Sequence, residues 1–187
     1  MTTIGIILGT TRPGRVGPQI AEWVHKTADA RTDADFEVVD IADYDLPLFD
    51  KPRSPRMGTY EHDHTRAWSA KIAGLDGFVF VTPEYNRSIP AALKNAIDFV
   101  YKEWNNKAAG FIGYGSNVGG ARAVDHLRHI AGAVQLAAVY SQLHLSLQTD
   151  FEKFTTFVPT DRHEAALEQL LTEVITLSDA LAPLREA

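Results

Sequence analysis

The chain has no cysteine, which excludes disulfides, thiol nucleophiles, iron–sulfur clusters and thiolate zinc sites. A reducing compartment suits such a chain, and a cytoplasmic location is the expectation. Long apolar runs are also missing; none approaches the roughly 18 residues of a membrane span. The first run, Ile4 to Leu8, is too short for the core of a secretory leader and has no basic lead. Neither a leader nor a membrane partner is expected. Positive charge is in deficit, with 18 Lys and Arg against 24 Asp and Glu, a net charge of −6. A general nucleic-acid partner, which needs a basic surface, is therefore not expected. No internal repeat and no low-complexity segment is visible.

What is present is a globular pattern. The 187 residues carry 45% apolar and 22% charged side chains, enough for one domain, 1–187, with a real core. Short apolar runs alternate with helical periodicity. Strands are predicted at Thr3–Leu8, Phe36–Ile41, Phe78–Val81 and Ala108–Tyr114. A fifth, bent or interrupted, is predicted at Gln135–Tyr140 and His144–Leu147. Helices are predicted from Pro18 to Ala30, Thr59 to Gly74, Pro90 through Tyr101, Gly120 to Gly132 and Asp161 to about Leu181. Ala121, Val124, Leu127 and Ala131 form the inward face of the fourth, and Asp161 with Glu164 caps the last. Runs without alternation, such as Phe78-Val79-Phe80-Val81, mark strands covered on both faces. Alternating units of this kind predict an α/β fold, a parallel sheet with helices on each side. Tyr44 to Gly58 is Pro-rich, irregular and long for a passive connection.

The first strand runs into Gly9-Thr10-Thr11-Arg12-Pro13-Gly14-Arg15-Val16-Gly17 and then a helix. A strand–glycine loop–helix unit offers free backbone N–H groups and the positive end of a helix dipole, which together hold an anion. The Thr10 and Thr11 hydroxyls and the Arg12 and Arg15 guanidinium groups add to that. The loop misses the P-loop pattern: Arg15-Val16 stands where Lys and Ser/Thr belong, so nucleoside triphosphate hydrolysis is not expected. It also misses G-x-G-x-x-G. A terminal monophosphate fits best; the competing view is a tight turn with solvated arginines.

Thr82-Pro83-Glu84-Tyr85-Asn86-Arg87-Ser88 follows the third strand, and Gly115-Ser116-Asn117-Val118-Gly119-Gly120 follows the fourth. In a sheet ordered 2-1-3-4-5 both open beside the first loop, at the switch point. They would frame a flat ring. Glycines allow close backbone approach, Asn86 and backbone N–H groups can meet ring heteroatoms, and Tyr85 can pack on the ring. Taken singly, Asn86 could cap a turn and Gly119-Gly120 could simply start a helix. His126 and His129 beside Asp125 have metal-like spacing but lack a surrounding ligand cluster, and no metal is expected.

Gly9-Thr10-Thr11-Arg12 with Arg15-Val16-Gly17, Pro83-Glu84-Tyr85-Asn86 with Ser88-Ile89-Pro90, Leu93-Lys94-Asn95-Ala96-Ile97-Asp98, and Gly113-Tyr114-Gly115 with Gly119-Gly120 resemble the NADPH-dependent FMN reductase family. Asp45-Leu46-Pro47-Leu48 also looks like the family, and the resemblance covers about residues 3 to 145. It implies a flavodoxin-like three-layer sandwich, bound FMN, and NAD(P)H as electron donor. Hydride would pass to FMN, and electrons then to a small-molecule acceptor, a quinone, flavin, azo compound or metal oxyanion, in a ping-pong cycle. A non-catalytic electron carrier or an FMN-binding sensor is the alternative from another class. By resemblance Thr10, Thr11, Arg12, Arg15, Val16 and Gly17 hold the phosphate end. Pro83, Glu84, Tyr85, Asn86, Arg87 and Ser88 line the ring, with Gly115, Ser116 and Gly119 opposite. No side chain is assigned as acid or base. The resemblance also implies a homodimer or homotetramer; Tyr101 and Trp104, near a helix end, are read as core or interface, and the family's usual assembly favours the interface. The family commonly has Gly after the Asn, where this chain has Arg87, and often Gly near position 91, where it has Ala91.

Overall fold

A computed structural model describes residues 1–185. Five parallel strands form one sheet: β1 (Thr2–Leu8), β2 (Ala34–Asp40), β3 (Gly77–Pro83), β4 (Lys107–Gly115) and β5 (Leu136–Ser146). Their spatial order is β2-β1-β3-β4-β5, so the chain reverses direction across the sheet between β1 and β3. α1 (Gly17–Ala28) and α5 (Asp161–Arg185) cover one face; α2 (Asp63–Ala73), α3 (Ala91–Asp98) and α4 (Ala121–Ala133) cover the other. This is the flavodoxin-like sandwich.

Strand alternation sorts the core into two layers. Ile4, Ile6, Val79 and Val81 face α1 and α5, packing on Ile20, Val24, Leu170 and Val174. Ile7, Phe78 and Phe80 face the other side, against Trp68, Ile72, Leu93 and Ile97. Trp104 belongs to that second layer. It is 0% exposed, its indole N–H donates to the Ile97 carbonyl at 3.1 Å, and its ring lies 4.9 Å from Phe78. Of the two readings for Trp104, core and interface, the core one holds, and the lean toward the interface is corrected. Tyr101 is half-buried and accepts a hydrogen bond from Arg56 Nη2 at 2.8 Å.

Several boundaries move. α2 begins at Asp63 rather than Thr59, because the Tyr60 hydroxyl donates to Glu103 Oε2 at 2.9 Å and holds that stretch out of the helix. α3 ends at Asp98, before Tyr101. In α4 Ala123 is buried and Ala121 only half-buried. β5 is one strand whose register slips, Ala109 facing Ala138 and Phe111 facing Gln142, so the predicted interruption is a bulge. α5 is capped by Thr160, not Asp161: His163 and Glu164 N–H groups donate to its carbonyl at 2.8 and 3.0 Å, and the Thr160 N–H donates to His163 Nδ1 at 3.1 Å.

Before α5 the chain forms a small hairpin, β6 (Phe151–Glu152) and β7 (Thr156–Phe157), antiparallel and separate from the main sheet. The sequence pattern does not predict it. Two-residue strands are too short to leave a periodicity.

Candidate active site

The loops after β1, β3 and β4 meet at the carboxyl edge of the sheet around a cavity of about 350 Å³. Arg12, Arg15 and Val16 line it from the first loop, Pro83, Glu84 and Tyr85 from the second, Gly115 and Ser116 from the third. Of the expected residues these eight come together. Thr10 lies buried beneath, its hydroxyl 3.0 Å from the Tyr85 hydroxyl in a shared hydrogen bond. That bond ties the first loop to the second. Thr11 turns to a neighbouring cavity of about 410 Å³ bounded by Ile41, Asp45 and Asn95.

The first loop leaves donors free. Among the described residues, the amides of Thr11, Gly14 and Val16 have no acceptor within the protein. Gly14 sits at φ 69 with nothing near the place a Cβ would occupy, so the backbone there is open to a ligand. α1 starts at Gly17 with Pro18 in its first turn, a start that needs no amide bond from Pro18. The Tyr114 hydroxyl packs on Gly17, and burial, then the neighbouring Tyr85, push its pKa up.

The two arginines divide their work. Arg15 donates from Nη1 to Asp40 Oδ1 at 2.9 Å, from Nη2 to Asp40 Oδ2, and from Nη1 to the Thr10 carbonyl. Arg12 is exposed and, among the described residues, has no ion pair.

The second loop is a tight hairpin. Tyr85 and Ser88 exchange backbone hydrogen bonds at 2.9 and 3.0 Å, with Asn86 at φ 49 and Arg87 at φ 70 between them. Both central residues are left-handed, the signature of a type I′ turn. Asn tolerates that geometry; Arg does so at a cost. Asn86 and Arg87 are exposed, outside the cavity lining. Ser88 Oγ lies 2.6 Å from His126 Nδ1, so His126 braces the loop. Glu84 is held by Arg122, whose Nε donates to Oε1 at 2.6 Å. Its other oxygen, Oε2, is buried without a partner among the described residues.

Glycine is required in the third loop. Gly119 (φ 58) and Gly120 (φ 83) are left-handed. A Cβ at Gly120 would collide with the backbone of Tyr114 and of Gly113, the latter at 2.7 Å, and one at Gly119 would meet the His144 backbone at 2.9 Å. Gly119 thus shapes the loop rather than the lining.

Tyr114, Leu147, Phe154 and Thr155 also line the cavity without having been anticipated. Tyr114 could have been found from its place at the end of β4. Phe154 and Thr155 belong to the β6–β7 hairpin.

A sequence profile described as NADPH-dependent FMN reductase matches residues 2–150. The chain is 43% identical over 147 residues to an NAD(P)H-dependent FMN reductase of Schizosaccharomyces pombe, covering 78% of this chain and 73% of that one. It is 34% identical over 142 residues to a 2-hydroxy-1,4-benzoquinone reductase of a Burkholderia species, covering 71% and 72%. In fold it is similar to a flavoenzyme NAD(P)H:acceptor oxidoreductase from Paracoccus denitrificans, with a TM-score of 0.68 at 20% identity over 100% of this chain and 98% of that one. With the profile spanning most of the chain and the relative well above 30% identity, the chain belongs to the NADPH-dependent FMN reductase family, enzymes that use FMN and NAD(P)H.

Proposed function

We propose that FMN binds in the cavity between the three loops, and that the enzyme passes electrons from NAD(P)H to a small-molecule acceptor, a quinone foremost. The observation that carries this is the convergence of the three loops on one 350 Å³ space with free amides at one end. The residues fit the group. The amides of Gly14 and Val16, with Arg12, would take the phosphate. Thr10 and Arg15 hold that loop in shape from behind, and Gly17 starts the helix whose dipole points at the anion. Pro83, Glu84 and Tyr85 would form one wall of the ring site, Gly115 and Ser116 the other.

When bound, FMN supplies the redox chemistry: it takes hydride from the reduced nicotinamide and gives electrons to the acceptor. The chain's own part is to orient the ring and to leave one face open for donor and acceptor in turn. Asn86, Arg87 and Ser88 stand at the rim, where Arg87 would attract anionic groups of the donor. Gly119 keeps the opposite rim narrow. No side chain need move a proton. The quinone preference is supported by the likeness to a benzoquinone reductase; flavin, azo and metal-oxyanion acceptors are the remaining members of the same reading.

The same reading takes residues 1–187 as one domain, cytoplasmic and homo-oligomeric, a dimer or tetramer. Exposed Leu48, Phe49 and Met57, near one another in sequence after β2, support self-association. Sedimentation at several concentrations decides that point, and a lone monomer throughout would contradict it.

Steady-state NADPH and NADH oxidation by the purified protein, with and without added FMN, against a panel of acceptors tests the function. Turnover with a quinone and a flavin absorbance in the purified protein are expected. A protein that neither binds FMN nor consumes either nucleotide overturns the reading.

A further inference from the structure

One side of the cavity is built by residues outside the family match. The match ends at residue 150, and the β6–β7 hairpin follows. Its turn carries Lys153 at φ 49 and Phe154 at φ 61, closed by the Thr155 N–H on the Glu152 carbonyl at 3.0 Å. Left-handed backbone is disfavoured for any side chain and most of all for a bulky one. Phe154 nevertheless takes it, and its side chain stands 62% exposed. A strained, exposed aromatic adds nothing to the core, and such outliers collect where a ligand is held.

The hairpin is firmly placed. Phe157 packs 5.1 Å from Trp23 and 5.2 Å from Phe151. Gln19, in the first turn of α1, donates from Nε2 to the Thr155 carbonyl at 2.9 Å and accepts from the Phe157 N–H at 3.1 Å. Gln19 follows Val16 by one turn, so the hairpin is hung on the helix that begins at the anion-binding loop. Phe154 lines the same cavity as Arg12, Gly14 and Val16, on a hairpin that Gln19 ties to the first turn of α1.

We propose that Phe154 is a cofactor-retention residue: its ring closes over the sugar-phosphate arm of FMN and slows release. This rests on the reading that the cavity binds FMN. A ring laid over the arm keeps water from competing for the hydrogen bonds between its phosphate and the loop amides, which a lower local dielectric strengthens, and a ring carried on a firmly placed hairpin pays little ordering entropy on binding. Phe154 thus decides whether FMN is a resident group or a passing substrate.

The test uses the full chain loaded with FMN. Release is followed by the recovery of flavin fluorescence in stopped flow, and affinity by fluorescence titration. Phe154→Gly removes the ring and relieves the turn, so folding is not threatened. Lys153→Gly relieves the same turn and keeps the ring. Phe154→Gly should raise the dissociation constant about tenfold, nearly all of it in the release rate, while Lys153→Gly stays within about twofold of the parent. Equal release from Phe154→Gly and the parent overturns the proposal. So does equal loss in both variants, which would assign the effect to the turn. A parent chain that never binds FMN instead overturns the function itself, and is told apart by the titration.

Discussion

Arg15 and Asp40 are joined through both guanidinium nitrogens, Nη1 to Oδ1 at 2.9 Å and Nη2 to Oδ2, and each side chain is only 18% exposed. The pair links the loop after β1 to the end of β2. Asp40 also accepts from the Ala42 N–H at 2.9 Å, so one carboxylate organises two loop starts.

Arg12 and Arg15 should consequently fail in different ways. Arg12→Ala removes an exposed cation and should weaken FMN binding by roughly tenfold, about 1.5 kcal/mol, with little change in stability. Arg15→Ala strands Asp40 and should cost about 2 kcal/mol of folding stability, less than for a fully buried pair. Urea denaturation beside FMN titration separates the two. Equal stability loss in both variants would contradict the division.

Arg87→Gly should stabilise the chain. The left-handed conformation at φ 70 costs a side chain about 1 kcal/mol that glycine does not pay. A rise of about 2–4 °C in melting temperature is expected for a chain this long. The same variant should raise KM for NADPH, because it removes a rim cation that has no ion pair among the described residues. Unchanged KM would mean that Arg87 does not face the donor.

Glu84 and Arg122 should respond asymmetrically. Glu84 is 7% exposed at its side chain and Arg122 38%. Arg122→Ala leaves a buried carboxylate without its partner, which should cost about 2 kcal/mol and loosen the loop. Glu84→Gln keeps an oxygen for Arg122 and should cost less. Thermal denaturation of the two variants checks this order; the reverse order would contradict it.

Lys107 should make stability depend on alkaline pH. Burial first, then the charge of Arg185, lower its pKa to about 8, while its amine donates to the Ile72 and Ala73 carbonyls at 2.7 and 3.2 Å. An unfolded lysine titrates near 10.4. Between about pH 8 and about pH 10 the unfolded chain holds a proton that the folded chain has released, so stability rises with pH. Below about pH 8 both states are protonated and this contribution is at its lowest. Lys107→Met should flatten the rise. Parallel pH profiles of the two chains would exclude Lys107 as its source.

The sheet and its three loops were legible because their signals are local. A buried strand such as Phe78–Val81 reads as an unbroken apolar run, and a glycine loop between strand and helix has few other uses. Trp104 stayed open between core and interface because it follows the end of α3, where no periodicity tells the two apart; only the spatial meeting with Trp68 and Phe78 decides it. Arg15 reads as an anion ligand by composition, and its partner Asp40 lies 25 residues away at the end of β2. The cap of α5 was misassigned to Asp161 because a histidine, rather than a carboxylate, accepts the Thr160 N–H. Phe154 left no trace in the pattern, since its hairpin is two residues wide on each side.

The strand order has a consequence for synthesis. β3 pairs with β1 on one edge and β4 on the other, and β4 begins only at Lys107. As the chain emerges from its amino end, Phe78-Val79-Phe80-Val81 must wait with one edge open and no charge of its own. That segment has the composition of an aggregation-prone strand. Asp76 before it and Pro83 at its end flank it as natural interruptions. Slow translation between Pro83 and Lys107 would prolong the exposure of that edge and lower the yield of folded chain.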